Sequence, residues 1–401
     1  MNAADDASRS PLTTARIREL ETQYSIPTYA QLPIAVVSGE GCHVTDADGR
    51  RWLDLYGGHA VALTGHCHPH VVAAIREQAG RLLFYSNVVA NDVRARALEA
   101  IGSIAPKGRS RSFLCNSGSE ANEAAIKMAR RTTGRREILS MEGGFHGRTM
   151  GALSATALGH YLSDYAPGVP DHRFLPFGDL AAAESAITDR TAGVILEPIQ
   201  SMGGMRTATG EYLRGLRAAC DRHGAVLMFD EVQTGPARTG AWWYGEHFGV
   251  RPDIITTAKG LGSGVPVGCV LARDEVVAKV KEGDQGTTFG GGPLACAAVL
   301  ATIEVIRNQN LVGNAARRGA QIAEAVCKIP GVTGVRGRGL LVGVVLDRDA
   351  KDVVRLLRDR GILSGSTPGD AKVLRLLPPL VLTEAEVETF VRALAEVLAH
   401  A

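Results

Sequence analysis

Between about residue 90 and residue 300 the chain alternates helical segments with short, continuous apolar runs, and this alternation limits the possible folds most. The runs are Ser112–Cys115, Glu137–Ser140, Ala192–Leu196, Ala225–Phe229, Ile254–Ile255 and Gly268–Ala272. A strand written as an unbroken apolar run is buried on both faces, as parallel strands covered by helices are. The expectation is an α/β fold whose large domain, residues 81–300, has a mostly parallel central sheet with helices on both faces.

The flanks read differently. Residues 1–25 look like a mobile lead-in followed by a short helix, Ala15 to Gln23. Residues 34–56 alternate and turn at Gly39-Glu40-Gly41 and Asp46-Ala47-Asp48-Gly49, which predicts a small antiparallel sheet. From His70 to Leu83 the residues Val71, Ala74, Ile75, Gln78 and Leu82 recur at helical spacing. A long helix, Leu294 to Asn308, leads into a smaller α+β segment. Near the end Thr383-Glu384-Ala385-Glu386 has capping-box spacing, ahead of a helix with Val387, Phe390, Val391, Leu394, Val397 and Leu398 on one face. Residues 1–80 and 301–401 are therefore expected to combine into one small α+β domain made of both termini.

Composition narrows the function classes. The net charge of +2 comes from 44 basic and 42 acidic residues, interspersed. No basic stripe predicts nucleic-acid binding and no acidic arm predicts a protein-binding tail. Seven scattered cysteines without a C-x-x-C pair predict reduced thiols in a cytoplasmic protein, not a disulfide framework or zinc site. The opening residues carry no apolar signal segment, and no apolar stretch approaches the roughly 20 residues of a membrane span. His66 and His68, two apart beside Pro69 and without a third ligand nearby, predict a structural turn, so no metal is expected. Trp242-Trp243-Tyr244 is expected to pack at an interface.

Three of the apolar runs lead to ionisable residues. Val194-Ile195-Leu196 ends at Glu197, Val226-Leu227-Met228-Phe229 ends at Asp230, and Ile254-Ile255 leads to Lys259 among glycines 260, 262, 264 and 268. Each alone reads most simply as a cap, a turn former or a surface lysine. Together, at three strand ends of a parallel sheet, they converge on the crevice where such sheets bind ligands. A fourth piece, Leu114-Cys115-Asn116-Ser117-Gly118-Ser119-Glu120, opens a helix and reads equally as a Ser-Glu helix cap or as an anion site at the helix N-terminus. It matches neither the dinucleotide fingerprint nor the P-loop. Gly143-Gly144-Phe145-His146-Gly147-Arg148-Thr149 adds an aromatic and a guanidinium on glycine turns, and Gly286-Thr287-Thr288-Phe289-Gly290-Gly291-Gly292 is a sixth element.

A lysine that can form a Schiff base, a carboxylate for a ring nitrogen, a helix N-terminus for a phosphate and an aromatic to stack are the inventory for pyridoxal 5'-phosphate. Lys259 must shed a proton to act as nucleophile and then as base, and a desolvated site favours that. Asp230 is expected to stay ionised opposite the pyridinium.

Asn116-Ser-Gly-Ser-Glu-Ala-Asn-Glu-Ala-Ala-Ile-Lys127, Phe145-His-Gly-Arg-Thr149, Phe229-Asp-Glu-Val-Gln-Thr-Gly235, Ala258-Lys-Gly-Leu-Gly262 and Thr288-Phe-Gly-Gly291 resemble the motifs of the class-III pyridoxal-phosphate-dependent aminotransferases. The resemblance is closest to the acetylornithine/ornithine branch and runs from Tyr29 to about Leu382. It implies a fold-type-I transferase, working as a homodimer with the active site shared between subunits. By motif, Lys259 would carry the cofactor and Asp230 would partner its ring nitrogen. Gln233 would lie near its phenolic oxygen and Phe145 over its ring, with Glu197 in a second layer. Gly118 and Ser119 would hold the phosphate together with Thr288 of the other subunit. Glu231 and Val232 fall in the same cofactor-binding stretch. Arg148 would receive the substrate α-carboxylate, with Thr287 and Tyr29 on the substrate side. Arg375 would receive the second carboxylate of 2-oxoglutarate or glutamate.

The chain departs from the branch at Ser201-Met202, where Gly-Glu is usual and the glutamate ordinarily shields the arginine matched by Arg375. His59, Gly292 and Pro236-Ala237 are further departures. The expected activity is transfer of the terminal amino group of N-acetylornithine, or a close ornithine-like donor, to 2-oxoglutarate, as in arginine biosynthesis. The alternatives are another ω-amino donor (succinylornithine, ornithine, 4-aminobutyrate, diaminobutyrate or a lysine derivative) and a cofactor-binding sensor or scaffold without turnover. The presence of both Lys259 and Asp230 disfavours the latter, and the glycine spacing disfavours a nucleotide-binding dehydrogenase.

Overall fold

The computed structural model describes residues 12–106, 109–159 and 161–400, so the first eleven residues of the expected lead-in lie outside the described chain. After the helix Thr14–Tyr24 come three antiparallel strands, β1 (Val36–Glu40), β2 (His43–Asp46) and β3 (Arg51–Asp54). Asp46 makes the turn between β2 and β3: its Oδ1 accepts the N–H groups of Asp48 at 3.1 Å and Arg50 at 2.8 Å.

The central sheet takes β4 (Arg109–Cys115), β5 (Glu137–Met141), β6 (His172–Leu175) and β7 (Thr191–Leu196). A two-stranded ribbon follows, β8 (Ile199–Gln200) with β9 (Arg206–Thr207), and then β10 (Val226–Asp230), β11 (Ile254–Thr257) and β12 (Gly268–Arg273). The seven strands lie in the order β4-β12-β11-β10-β7-β5-β6. All neighbours from β11 to β6 pair in parallel. Every residue of β7, β10 and β11 is buried, which is why these strands read as unbroken apolar runs.

Gly268–Ala272 corrects one expectation. It is antiparallel to both neighbours, β11 and β4. Residues 258–267 join it to β11 with a single short turn of helix. A parallel return needs a crossover of about a dozen residues or more, usually helical, so the chain folds straight back.

The C-terminal part adds β13 (Val332–Arg338), β14 (Leu341–Leu346), β15 (Ile362–Leu363), β16 (Gly365–Thr367) and β17 (Asp370–Leu376). Four of these form an antiparallel sheet ordered β13-β14-β17-β16, while β15 pairs in parallel with β3. The two ends of the chain thus share a sheet. They also share a core, in which Leu53, Leu55 and Leu63 pack with Ile322, Leu374 and Phe390. The helix Glu384–His400 starts at a reciprocal cap: Glu386 N–H donates to Thr383 Oγ1 at 3.3 Å, and Thr383 N–H donates to Glu386 Oε2 at 2.7 Å. Trp243 is buried, its indole N–H donating to the carbonyl of Ile104 at 2.6 Å. Among the described residues no helix is long and apolar enough to cross a membrane.

Candidate active site

Strands β7, β10 and β11 are successive parallel neighbours, so their carboxyl ends open on one side of the sheet. Glu197, Asp230 and Lys259, which follow or close these strands, line a single cavity of about 600 Å³. The opposite wall is built by Ser117, Gly118 and Ser119 and by the loop from Phe145 to Thr149. This is the crevice that strand topology predicts for a ligand.

Asp230 is fixed from three directions. Its Oδ1 accepts Val232 N–H at 3.0 Å, and its Oδ2 accepts Asn122 Nδ2–H at 2.7 Å and His146 Nδ1–H at 2.8 Å. Asn122 is set in turn by Thr256, whose hydroxyl donates to Asn122 Oδ1 at 2.6 Å. Asn122 lies on the helix Gly118–Thr133, Val232 just past the end of β10, Thr256 on β11 and His146 on the Phe145 loop, so four segments combine to hold this one carboxylate. Neither Asn122 nor His146 was singled out from the sequence. The helical spacing that puts Asn122 one turn beyond Gly118 and Ser119 was the available signal.

Lys259 follows β11 in the left-handed region at φ 44°. Burial is the largest influence on its ammonium, which falls from 10.5 to about 8 against the opposing attraction of Asp230 and Glu197. Glu197 is 4% exposed and its Oε1 accepts Phe145 N–H at 2.8 Å. Burial first, and the Asp230 charge second, raise its carboxyl above the ordinary range.

At the helix Gly118–Thr133 the N-cap is Ser117, whose hydroxyl accepts Glu120 N–H at 3.2 Å. Glu120 reaches back to accept Asn116 N–H at 2.8 Å. This cap leaves the N–H groups of Gly118 and Ser119 at the positive end of a helix dipole, against the cavity. Close approach explains one glycine: a Cβ on Gly147, at φ 136°, would lie 2.2 Å from Ser119 Oγ. Ser119 is further tied to Thr149, hydroxyl to hydroxyl, at 2.8 Å.

The remaining expected residues are placed unevenly. Phe145, Val232, Gln233 and Arg148 line the cavity. Arg148 is exposed and donates to the hydroxyl of Tyr29 at 3.4 Å, with its guanidinium 5.8 Å from the tyrosine ring. Arg375 is buried nearby and its Nη1 donates to Ser201 Oγ at 3.4 Å. Thr287 Oγ1 accepts from Asn116 Nδ2 at 3.0 Å, whereas Thr288 is exposed and does not line its own chain's cavity.

Glu231 departs from its expected role. Its carboxylate turns away from Asp230, accepting Tyr244 N–H at 2.8 Å and the Thr234 hydroxyl at 2.9 Å, and it borders a separate cavity beside Trp243. Consecutive residues leaving a strand point to opposite faces, so Asp230 and Glu231 do not share one site.

The donor set can be tested against pyridoxal phosphate. The cavity holds an amine near neutrality, a carboxylate anchored to accept, a helix N-terminus and an aromatic ring. Gln233 Oε1 is buried there with no hydrogen-bond partner, as expected of an atom that awaits a ligand. The residues fit a phosphorylated pyridine aldehyde.

Comparison with known proteins agrees with the geometry. Residues 24–398 match the profile of the family described as aminotransferase class-III. The chain is 47% identical to the acetylornithine aminotransferase of Methanopyrus kandleri, over 95% of this chain and 98% of that protein. It is similar in structure to the ornithine aminotransferase of Toxoplasma gondii ME49, with a TM-score of 0.92 and 32% identity over 99% of this chain and 97% of that one. It also resembles the acetylornithine aminotransferase of Elizabethkingia anophelis, with a TM-score of 0.85 and 28% identity over 97% of this chain and 100% of that one.

Proposed function

The chain belongs to the class-III aminotransferases, and we propose that it transfers the terminal amino group of N-acetylornithine, or a close ornithine-like donor, to 2-oxoglutarate. The observation that carries this reading is the meeting of Lys259, Asp230 and a helix N-terminus in one cavity of a chain so similar to acetylornithine aminotransferases. The enzyme would act in the cytoplasm, in arginine biosynthesis.

Pyridoxal phosphate, when bound, supplies an aldehyde that condenses with amines and a ring that draws negative charge from the substrate carbon. Gly118 and Ser119 would hold the phosphate, Phe145 and Val232 would contact the ring, and Gln233 would bond the phenolic oxygen. Asp230 presents two oxygens that already accept three hydrogen bonds, so its orientation toward a ring nitrogen is set before any ligand arrives. Lys259 Nζ, lowered by burial to about 8, gives up its proton far more readily than an ordinary lysine. It takes the proton from the donor carbon that bears the amino group, and hands it on. Arg148 orients the donor by its α-carboxylate. The amino nitrogen would pass by way of the cofactor from the donor, which would take up the oxygen of one water and leave as a semialdehyde, to 2-oxoglutarate, whose distal carboxylate Arg375 would hold.

A homodimer belongs to the same proposal, with Thr288 of one copy completing the phosphate site of the other. Leu83, Phe84, Val88 and Phe289 form an exposed apolar stretch, and the rings of Phe84 and Phe289 lie 5.3 Å apart. A surface of that kind beside Thr288 supports burial against a second copy.

A second reading keeps the chemistry and changes the donor. Arg375 lacks the glutamate that the branch places at Met202, which favours considering succinylornithine, ornithine, 4-aminobutyrate, diaminobutyrate or a lysine derivative. Half-reactions of the holoenzyme with each amine, followed at the cofactor's absorbance, separate the two. N-acetylornithine is expected to show the highest specificity constant, and a preference for 4-aminobutyrate would sink the first reading.

A further inference from the structure

Arg375 is buried, with no acceptor for its Nε, and among the described residues no carboxylate lies within ion-pair reach of it. What covers it is Tyr56. The tyrosine ring centre lies 5.7 Å from the guanidinium, and after burial the phenol is the group that acts most on the guanidinium. The phenol hydroxyl is bonded to His59 Nδ1, with the two rings edge-on at 5.4 Å. Burial, with the positive charges of Lys259, Arg375 and Arg148, pushes the imidazole down to about 3. His59 is therefore neutral and Nδ1 accepts the phenol proton, which leaves the phenol oxygen's lone pairs to Arg375.

The backbone that delivers this pair is unusual. Gly57, Gly58, His59 and Ala60 have φ of 60°, 55°, 70° and 65°, four successive left-handed residues of which two carry side chains. Such strain persists only where surrounding contacts impose it, and it marks functional segments. Asp54 imposes it here, its Oδ1 accepting the N–H groups of Tyr56 and Gly57, both at 2.9 Å. A Cβ on Gly57 would lie 2.5 Å from the carbonyl oxygen of Leu377, and one on Gly365 would lie 3.1 Å from the Tyr56 ring. The ring has room over Arg375 because residue 365 has no side chain.

We propose that Tyr56 and His59 are positioning residues for Arg375, a neutral pair that orients the guanidinium without a direct ion pair, ready for the distal carboxylate of the amino acceptor. This rests on the reading that the acceptor is a 2-oxo dicarboxylate. A shielding glutamate would have to be displaced before that carboxylate binds, whereas the Tyr56–His59 pair stays in place. Met202, buried and uncharged, fits such an arrangement.

Calorimetry of the holoenzyme with glutarate, a dicarboxylate that cannot react, and with butyrate tests the proposal, alongside the glutamate half-reaction. Wild type is expected to bind glutarate more tightly than butyrate. Tyr56→Phe removes only the hydroxyl, and should weaken glutarate about tenfold and raise the KM for glutamate by about the same factor, with kcat and butyrate binding little changed. His59→Ala should reproduce the loss and His59→Gln, which keeps an acceptor, should reverse most of it. Glutarate affinity unchanged in Tyr56→Phe would overturn the proposal while leaving the dicarboxylate reading standing. Wild type that fails to prefer glutarate over butyrate would overturn both.

Discussion

His146 Nδ1 lies 2.8 Å from Asp230 Oδ2, and neither side chain is more than 3% exposed. The other ring nitrogen, Nε2, is buried without a partner, so the ring's hydrogen bond is the one to Asp230. With Asn122 on the same oxygen, the histidine decides where the carboxylate points.

Replacing that histidine is expected to loosen the cofactor before it affects the fold. A hydrogen bond to a charged group contributes about 1.5–3 kcal/mol, so His146→Ala should weaken pyridoxal-phosphate binding roughly tenfold or more. His146→Asn, which can still donate, should lose less. Cofactor retention after dialysis, read from absorbance, checks the order; equal retention in both variants would show that the bond does not orient Asp230.

Lys259→Met should abolish turnover and the Schiff-base absorbance while circular dichroism stays native. It also carries a pH prediction. Folding lowers this lysine from 10.5 to about 8, so between those values the unfolded chain binds more protons and stability rises with pH. Below about 8 the folded protein bears the full cost of a buried ammonium. In cofactor-free protein, Lys259→Met should therefore be the more stable partner at pH 7, with the difference shrinking as pH climbs toward 10.5. Chemical denaturation of both proteins across that range measures it, and a constant difference would refute the lysine's displacement.

Much of this arrangement was legible in the sequence because parallel strands buried on both faces leave long apolar runs, and a charge that ends such a run stands out. Glu197, Asp230 and Lys259 were visible for that reason. The direction of Gly268–Ala272 was not, since its burial is the same in either orientation; only the short connection from β11 decides it. Glu231 was misjudged although the alternation of side chains past Phe229 would have separated it from Asp230. Asn122 and His146 act through packing of a helix and a loop against the sheet, and no local pattern announces that. Tyr56 and His59 are hidden in a left-handed turn whose only trace is Gly57-Gly58.

Glu231→Gln tests the separation of the two neighbouring carboxylates. Burial raises Glu231 from 4.5 to about 8, so the folded protein binds the extra proton between those values and stability falls as pH rises through them. The amide removes that dependence. Stability at pH 8 should rise relative to wild type, whereas cofactor affinity should not change. A large loss of cofactor would return Glu231 to the binding site.

Gly147→Ala is expected to damage the phosphate end of the cavity. The added Cβ, 2.2 Å from Ser119 Oγ on a backbone at φ 136°, forces the serine away and strains the loop that carries Phe145 and Arg148. Cofactor affinity should fall at least about tenfold, together with a stability loss of roughly 1–3 kcal/mol that shows as a lower Tm. Free pyridoxal, which has no phosphate, should lose much less affinity than pyridoxal phosphate. Equal losses for both would place the phosphate elsewhere.

Met202→Glu brings a carboxylate next to Ser201, whose hydroxyl meets Arg375 at 3.4 Å. Met202 is 8% exposed, so the new charge is desolvated and will seek the buried guanidinium. If the two pair, Arg375 is occupied in the resting enzyme. The KM for 2-oxoglutarate and glutamate should then rise several-fold, while the donor half-reaction holds or improves. Failure to pair would leave a buried carboxylate alone, at a cost of about 3–5 kcal/mol in stability, and Tm reports that outcome separately. Unchanged kinetics in both half-reactions with an unchanged Tm would show that position 202 has no influence on Arg375.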